Sequence, residues 1–386
     1  MVPRWYPSLQ TPVIGTFVAE QVMGMARTYS EDLWGVSTYS RADMALQTRL
    51  GMNNMQVLTR FFRHLGTRIL YPAQNVMHLD TPTLHWNPRL LEGNRKAIER
   101  VHERHFLRFR SRHGQPRVIH AHSASAAVEV LALKEKYGVP LVITEHDLQI
   151  HGTLLPVLKR ADCVIAVSAA QARFLSDAGV QNIKVVLNAV DAAHFPLRSH
   201  PPGGPLTIAT LSRIDHRKGI DDLLRAFARI HHKLPEATRL LIGGEGPSLK
   251  AMKSLAHQLG VGAHVIWEGS VSRERVPHFL ARSHFFVSAS HVESFGLVLA
   301  EALAMGIPVI TSDSGGPTDF VHAANGLIFP VSDVRRLSEL LLHMTQRYAT
   351  YKPPELRSDI LSLCRTSKIY PQIQAVYQGV FSRCNA

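Results

Sequence analysis

Short apolar runs alternate with amphipathic stretches through most of the chain. In the first half RVIHAH (117–122), PLVITEH (140–146), DCVIAVS (162–168) and IKVVL (183–187) read as buried strands, and SASAAVEVLALKEKYG reads as a helix. The pattern breaks at FPLRSHPPGGP (195–205), where proline and glycine predict a linker. It restarts with LTIATLS (206–212), RLLIGG (239–244), HVIWEG (264–269), FFVSAS (285–290), IPVITS (307–312) and GLIFP (326–330). IDDLLRAFARIHHKL and SRERVPHFLARS supply helices between these strands, and SKIYPQIQAVYQGVF (367–381) predicts a last one. Strands alternating with helices predict α/β layers with parallel sheets. The expected organisation is two tandem Rossmann-like domains, 1–194 and 206–366, joined by the linker 195–205 and followed by a C-terminal helix, 367–386. Two such sheets facing a shared cleft would bind ligand at their strand C-termini.

A chain of 386 residues is longer than one core usually grows, which agrees with two domains. Its 45 % apolar and 19 % charged residues exclude wholesale disorder. No apolar run is long enough to span a membrane, and the opening MVPRWYPSLQTP lacks the apolar core of a secretory signal. Cys163, Cys364 and Cys384 are too few and too scattered for a disulfide framework or a zinc site. A cytoplasmic protein is expected. The net charge of +13 favours anionic partners, and between Arg60 and Arg117 there are 12 Lys/Arg against four acidic residues.

Candidate chemistry concentrates in SASHVESFGLVLAEALAMGIPVITSDSGGPTDFV (288–321). A buried strand ends near Ser290, Glu293 and Ser294 lie in the following loop, and Phe295-Gly296 opens a helix carrying Glu301. Free amides around Phe295, Gly296 and Leu297 can take phosphate oxygens, helped by the helix dipole. The two oxygens of Glu301 can accept both hydroxyls of a ribose, and Glu293 can reach an attached sugar. Read singly, each glutamate is better explained as a solvated helix or loop carboxylate. Arg213 and Lys218 in LSRIDHRKG place two cations where they can neutralise a departing diphosphate, or merely cap a strand and open a surface helix. GGEGP (243–247), with Gly246, permits close backbone approach to phosphate or base.

Taken together, Arg213 with Lys218, then GGEGP, then Glu293-Ser294-Phe295-Gly296 with Glu301, then GIPVITSDSGGPTDFV, resemble glycosyltransferase family 4 in order and spacing. The likeness covers essentially all of 206–345. It implies a GT-B fold and retaining transfer of a sugar from a nucleotide donor, with Arg213, Lys218, Glu293 and Glu301 functional. The first half is similar to the same family. WYPSLQTPVIGTFVAEQV (5–22) resembles its opening loop and first helix, which would set Gly15 against the donor diphosphate. TEHD (144–147) resembles the segment holding the family's active-site histidine, which makes His146 the candidate. His120 and His122 bracket a second strand end and are candidates for acceptor contact. One departure stands out: only Met1-Val2-Pro3-Arg4 precedes Trp5, where family members carry a complete apolar strand. Another is Asp319, where a glutamate is common.

No Asp-x-Asp occurs, so Arg213, Lys218 and the helix amides are expected to replace a metal ion. The resemblance implies a nucleotide-sugar substrate, a UDP-sugar ahead of a GDP-sugar, with no separate cofactor. It further implies a glycan or lipid-linked acceptor, and a part in cell-envelope polysaccharide synthesis. An epimerase or phosphorylase on the same fold, or a basic polyanion-binding protein, remain as alternatives, although no nucleic-acid motif is present. NMQVLTRFFRHLGTRIL (54–70) sets Leu58, Phe61, Phe62, Leu65, Ile69 and Leu70 near Arg60, Arg63 and Arg68. At helical spacing it is either a basic amphipathic helix lying on an anionic inner membrane face or an ordinary core helix.

Overall fold

The computed structural model describes residues 2–3, 16–31, 34–43, 76–85, 91–199 and 202–384. Gly15 and the segment 54–70 lie outside the described residues. The chain divides into two compact units. The first comprises 1–165, 175–184 and 372–386, and the second 166–174 and 185–371.

The first unit contains β1 (Val2–Pro3), β2 (Trp34–Asp43), β3 (Val76–His85), β4 (Ile119–His122), β5 (Leu141–Glu145), β6 (Cys163–Ala166) and β7 (Ile183–Val185). Its five-stranded sheet runs β1-β4-β5-β6-β7, and β2 and β3 pair separately. The four runs read as strands between 117 and 187 all form strands, and Ala124–Tyr137 forms the helix between β4 and β5. That helix starts on Ser123, whose side chain accepts the Ala126 amide, and stops at Gly138 in the left-handed region. At the N-terminus Val2 and Pro3 pair in parallel with Ala121 and His122, a strand of two residues at the edge of the sheet. The parallel pair β2–β3, ten residues each, was not foreseen.

The second unit contains β8 (Thr207–Leu211), β9 (Arg239–Gly243), β10 (Val265–Gly269), β11 (Phe285–Ser288), β12 (Val309–Ser312) and β13 (Gly326–Phe329). Every one falls on a run read as a strand from the sequence. Their order, β10-β9-β8-β11-β12-β13, is doubly wound, with its winding reversing between β8 and β11. The helix Ile220–Ile230 buries Ile220, Leu223, Leu224, Phe227 and Ile230, the i, i+3, i+4 stripe that the sequence shows. The helix Leu297–Ala304 is apolar nearly all round and correspondingly buried. Phe195, at the start of the stretch read as a linker, is fully buried in this unit. Arg357 binds the carbonyls of Ala192, Phe195 and Ala304 beside it. The last helix runs Thr366–Cys384, and from Gln372 onward its residues belong to the first unit.

Candidate active site

The reversal point between β8 and β11 is where a doubly wound sheet leaves a crevice at its strand ends. The loop after β8 carries Arg213 and Lys218, and the loop after β11 carries Glu293. Lys218 donates from Nζ to Glu293 Oε2 at 2.7 Å, and both side chains are about one-fifth exposed, Lys218 at 23 % and Glu293 at 18 %. A charged pair of this kind is neither dry nor fully screened, so a ligand can still reach it.

Local backbone geometry builds the pair. Asp215 caps the short turn His216–Lys218 by accepting the Arg217 amide, and its other oxygen lies 3.5 Å from Arg213 Nε. Gly219 follows at φ 58, and a Cβ there would sit 2.0 Å from the carbonyl oxygen of Ala289. Only glycine lets the β8 loop approach the β11 end this closely. On the other side Glu293 is fixed by its main chain: its amide donates to Ser314 and its carbonyl accepts from Gly316. Arg213 is mostly exposed and reaches out from the strand end.

Gly296 sits at φ 89 as the N-cap of the helix Leu297–Ala304. The first amides of that helix have no preceding helical carbonyl to bond. Phe295 is buried in the core, where its ring meets Phe320, so its side chain anchors the turn. Gly246 lies in the loop after β9, and a Cβ there would fall 2.2 Å from the Ile214 oxygen. Ile214 also donates its amide to the Glu245 carbonyl and accepts the Ser248 amide. The glycine turn thus backs the loop that carries Arg213.

Glu301 is wholly buried, and its carboxylate is paired with the buried guanidinium of Arg273. Arg273 also stacks over Phe195 at 4.7 Å. Sequence reasoning missed this arginine, which sits in a segment, SRERV, read only as helix. Asp319 has a structural duty, accepting the Ala169 amide at the start of the helix Ala169–Asp177. Asp221, Asp222 and His291 bring ligand atoms within 4.8 Å of one another, a cluster able to hold a cation, in which His291 already bonds Asp222 at 2.8 Å.

In the first unit a separate cluster forms at the ends of β4 and β5. His146 is half-buried, and burial pushes its pKa down to about 4. Glu145 organises its backbone: one carboxylate oxygen accepts the amides of His146 and Asp147, at 2.9 and 3.1 Å, and the other accepts Ala124. Burial raises the Glu145 pKa against the pull of those three amides. His122 Nδ1 lies 3.2 Å from His146 Nε2, with the two rings nearly parallel. His120 bonds the Tyr377 hydroxyl at 2.6 Å and the Thr144 hydroxyl at 2.7 Å. Ser123 holds φ 109 and ψ 155, a region natural only to glycine, so strain is stored beside His122. His120 and His122 were foreseen as strand-end groups, whereas Glu145 and Tyr377 were not.

Comparison with known proteins agrees with the resemblance. Residues 196–353 match the family described as "Glycosyl transferases group 1", and residues 63–194 match "Glycosyltransferase Family 4". Together these matches take in well over half of the chain, which belongs to glycosyltransferase family 4. The glycogen synthase of Mycobacterium tuberculosis is 30 % identical over 221 residues, covering 52 % of this chain and 53 % of that one. A GDP-mannose-dependent alpha-(1-6)-phosphatidylinositol monomannoside mannosyltransferase of the same species is 34 % identical over 146 residues, 36 % of this chain and 38 % of that one. The matches thus span about half, or less, of the length of these relatives. Among solved structures, sucrose-phosphate synthase from Thermosynechococcus elongatus superposes with a TM-score of 0.76 at 19 % identity, covering 95 % of this chain and 93 % of that one. HepE of Anabaena, in complex with UDP and glucose, gives 0.68 at 21 % identity, covering 94 % and 96 %. The fold is the GT-B class of two α/β Rossmann-like domains.

Proposed function

We propose that the protein is a retaining glycosyltransferase. It moves a sugar from a nucleotide-diphosphate-sugar to a glycan or lipid-linked acceptor in cell-envelope polysaccharide synthesis. The observation that carries this reading is the Lys218–Glu293 pair at the point where the second sheet reverses. Arg213 and Lys218 supply positive charge for the diphosphate as the glycosidic bond breaks, and the first amides of the helix Leu297–Ala304 add donors. With two cations provided by the chain, transfer proceeds without a metal ion. Glu293 lies one ion pair away, placed for the hydroxyls of the sugar. Glu301 supports the ribose through the carboxylate that Arg273 holds. His146 acts on the sugar side of the reaction, and the family resemblance assigns Gly15 to the donor diphosphate.

The acceptor attacks the face that the nucleotide leaves, through an oxocarbenium-like state, and the departing phosphate takes the acceptor's proton. No helix among the described residues is long and apolar enough to cross a membrane. A lipid-linked acceptor would be met at the inner membrane face. The relatives differ in the donors their names state, GDP-mannose in one case and bound UDP in another. The family resemblance sets uridine ahead of guanosine, and both are tested. Incubating the full chain with labelled UDP-glucose, UDP-N-acetylglucosamine and GDP-mannose, each together with a membrane-lipid and oligosaccharide extract that supplies acceptor hydroxyls and with and without a chelator, separates the readings by product mass. Nucleoside diphosphate release supports transfer, an epimer or a sugar phosphate supports the epimerase or phosphorylase alternative, and no turnover with any donor favours a binding protein.

A further inference from the structure

His122 is fully buried, and it is the partner of His146 in the cluster at the ends of β4 and β5. Its two ring nitrogens are not equivalent. Nδ1 meets His146 Nε2 at 3.2 Å, whereas Nε2 is buried with no hydrogen-bond partner among the described residues. Burial holds both imidazoles neutral at ordinary pH, His122 well below the usual histidine range and His146 at about 4. Two neutral rings share one proton across this contact, which leaves two arrangements. If His146 donated from Nε2, the single proton of His122 would move to its own Nε2. That would bury an N–H without an acceptor, the rarer and costlier kind of orphan. If instead His122 donates from Nδ1, only a lone pair is left unmatched.

We propose that His122 is a positioning residue that donates from Nδ1 to His146 Nε2 and so holds His146 in its Nδ1–H tautomer. His146 then presents a hydrogen-bond donor on its other side, and its lone pair is committed to His122. Such a ring orients a substrate hydroxyl or carbonyl but does not abstract the acceptor's proton. The neighbouring geometry fits a fixed ring. Glu145 pins the His146 backbone, and His120 has both nitrogens engaged by Tyr377 and Thr144, so the bond to His122 faces no competition from it. The inference deepens the role given to His146 under Proposed function and rests on that reading only for its catalytic consequence.

The test is a long-range proton–nitrogen correlation spectrum of the full chain labelled with 15N-histidine. The His146 signals are assigned as those missing in His146→Gln. The wild type is expected to show the Nδ1–H tautomer, and an Nε2–H form or an imidazolium at neutral pH would overturn the proposal. In His122→Phe the same signals should move towards the Nε2–H form, and an unchanged tautomer would likewise overturn it. With whichever of the three labelled nucleotide sugars is turned over, His122→Phe should lower kcat about tenfold, the worth of one strong hydrogen bond, at unchanged donor KM. His122→Gln, whose amide N–H can serve His146 Nε2, should recover most of that loss. Should His122→Phe not fold, the wild-type tautomer and the glutamine variant still decide. A fully active His146→Ala would overturn the catalytic reading of His146 alone, because the tautomer is measured without substrate.

Discussion

Lys218 and Glu293, 75 positions apart in sequence, meet at 2.7 Å between the ends of two adjacent parallel strands. The pair exists because Gly219 lets the β8 loop lie against Ala289 and because Glu293 is clamped to the Ser314–Gly316 loop. Removing the cation leaves a partly buried carboxylate without its partner. Lys218→Ala should therefore lower turnover by about 10- to 100-fold, the worth of one or two charge-assisted contacts. Steady-state kinetics on the donor that is turned over checks it, and unchanged turnover would remove Lys218 from the mechanism.

Glu301 must be probed with its partner in mind. Glu301→Ala takes the carboxylate away from the buried guanidinium of Arg273, and breaking a buried ion pair costs about 3–5 kcal/mol. A large fall in Tm is expected, and it would mimic loss of binding. Glu301→Gln keeps the shape and a hydrogen-bonding group. That variant should lose less Tm than Glu301→Ala while nucleotide affinity drops about tenfold or more, read by calorimetric titration with UDP and GDP.

Gly246 backs the loop that carries Arg213. A Cβ 2.2 Å from the Ile214 carbonyl oxygen cannot be accommodated without moving that loop. Gly246→Ala should cost roughly 1–3 kcal/mol of stability and lower turnover together with it. Thermal denaturation and kinetics on one preparation decide, and a variant with wild-type values in both would contradict the packing.

Burial depresses the pKa of His120, His122 and His146 in the first unit, and that of His105 to about 4. The unfolded chain therefore binds protons near pH 6.5 that the folded chain refuses. Stability contributed by these groups is complete above about pH 6.5 and falls as the pH drops towards 4. The loss begins while ordinary carboxylates are still ionised. Tm measured from pH 7.5 to 5 should decline steadily, with a shallower slope in His122→Gln. A flat profile would contradict the burial of this cluster.

What the sequence reveals and what it hides follow from range. The ten strands read between residues 117 and 330 form because buried parallel strands are nearly unbroken apolar runs, as in LVITE and FFVS. Lys218, Glu293 and Gly246 were legible through short motifs whose spacing is local. Arg273 and Tyr377 were not, because each matters through a partner 28 or 257 positions away that no periodicity reports. Glu145 left one usable signal: a carboxylate ending an otherwise apolar strand needs donors there, and the next two backbone amides supply them. The strands Trp34–Asp43 and Val76–His85 carry mixed polar sequences, so hydrophobic patterning gave no sign of them.

The most direct test of the whole account is nucleoside diphosphate release from the labelled nucleotide sugars, in the presence of the same acceptor extract, by four proteins: wild type, Lys218→Ala, Glu293→Gln and His146→Ala. The account predicts release by the wild type from at least one donor. It predicts at least a tenfold loss in each variant, with nucleotide affinity kept in His146→Ala. Release that is equal in all four proteins, or a wild type that releases none from any donor, would contradict it.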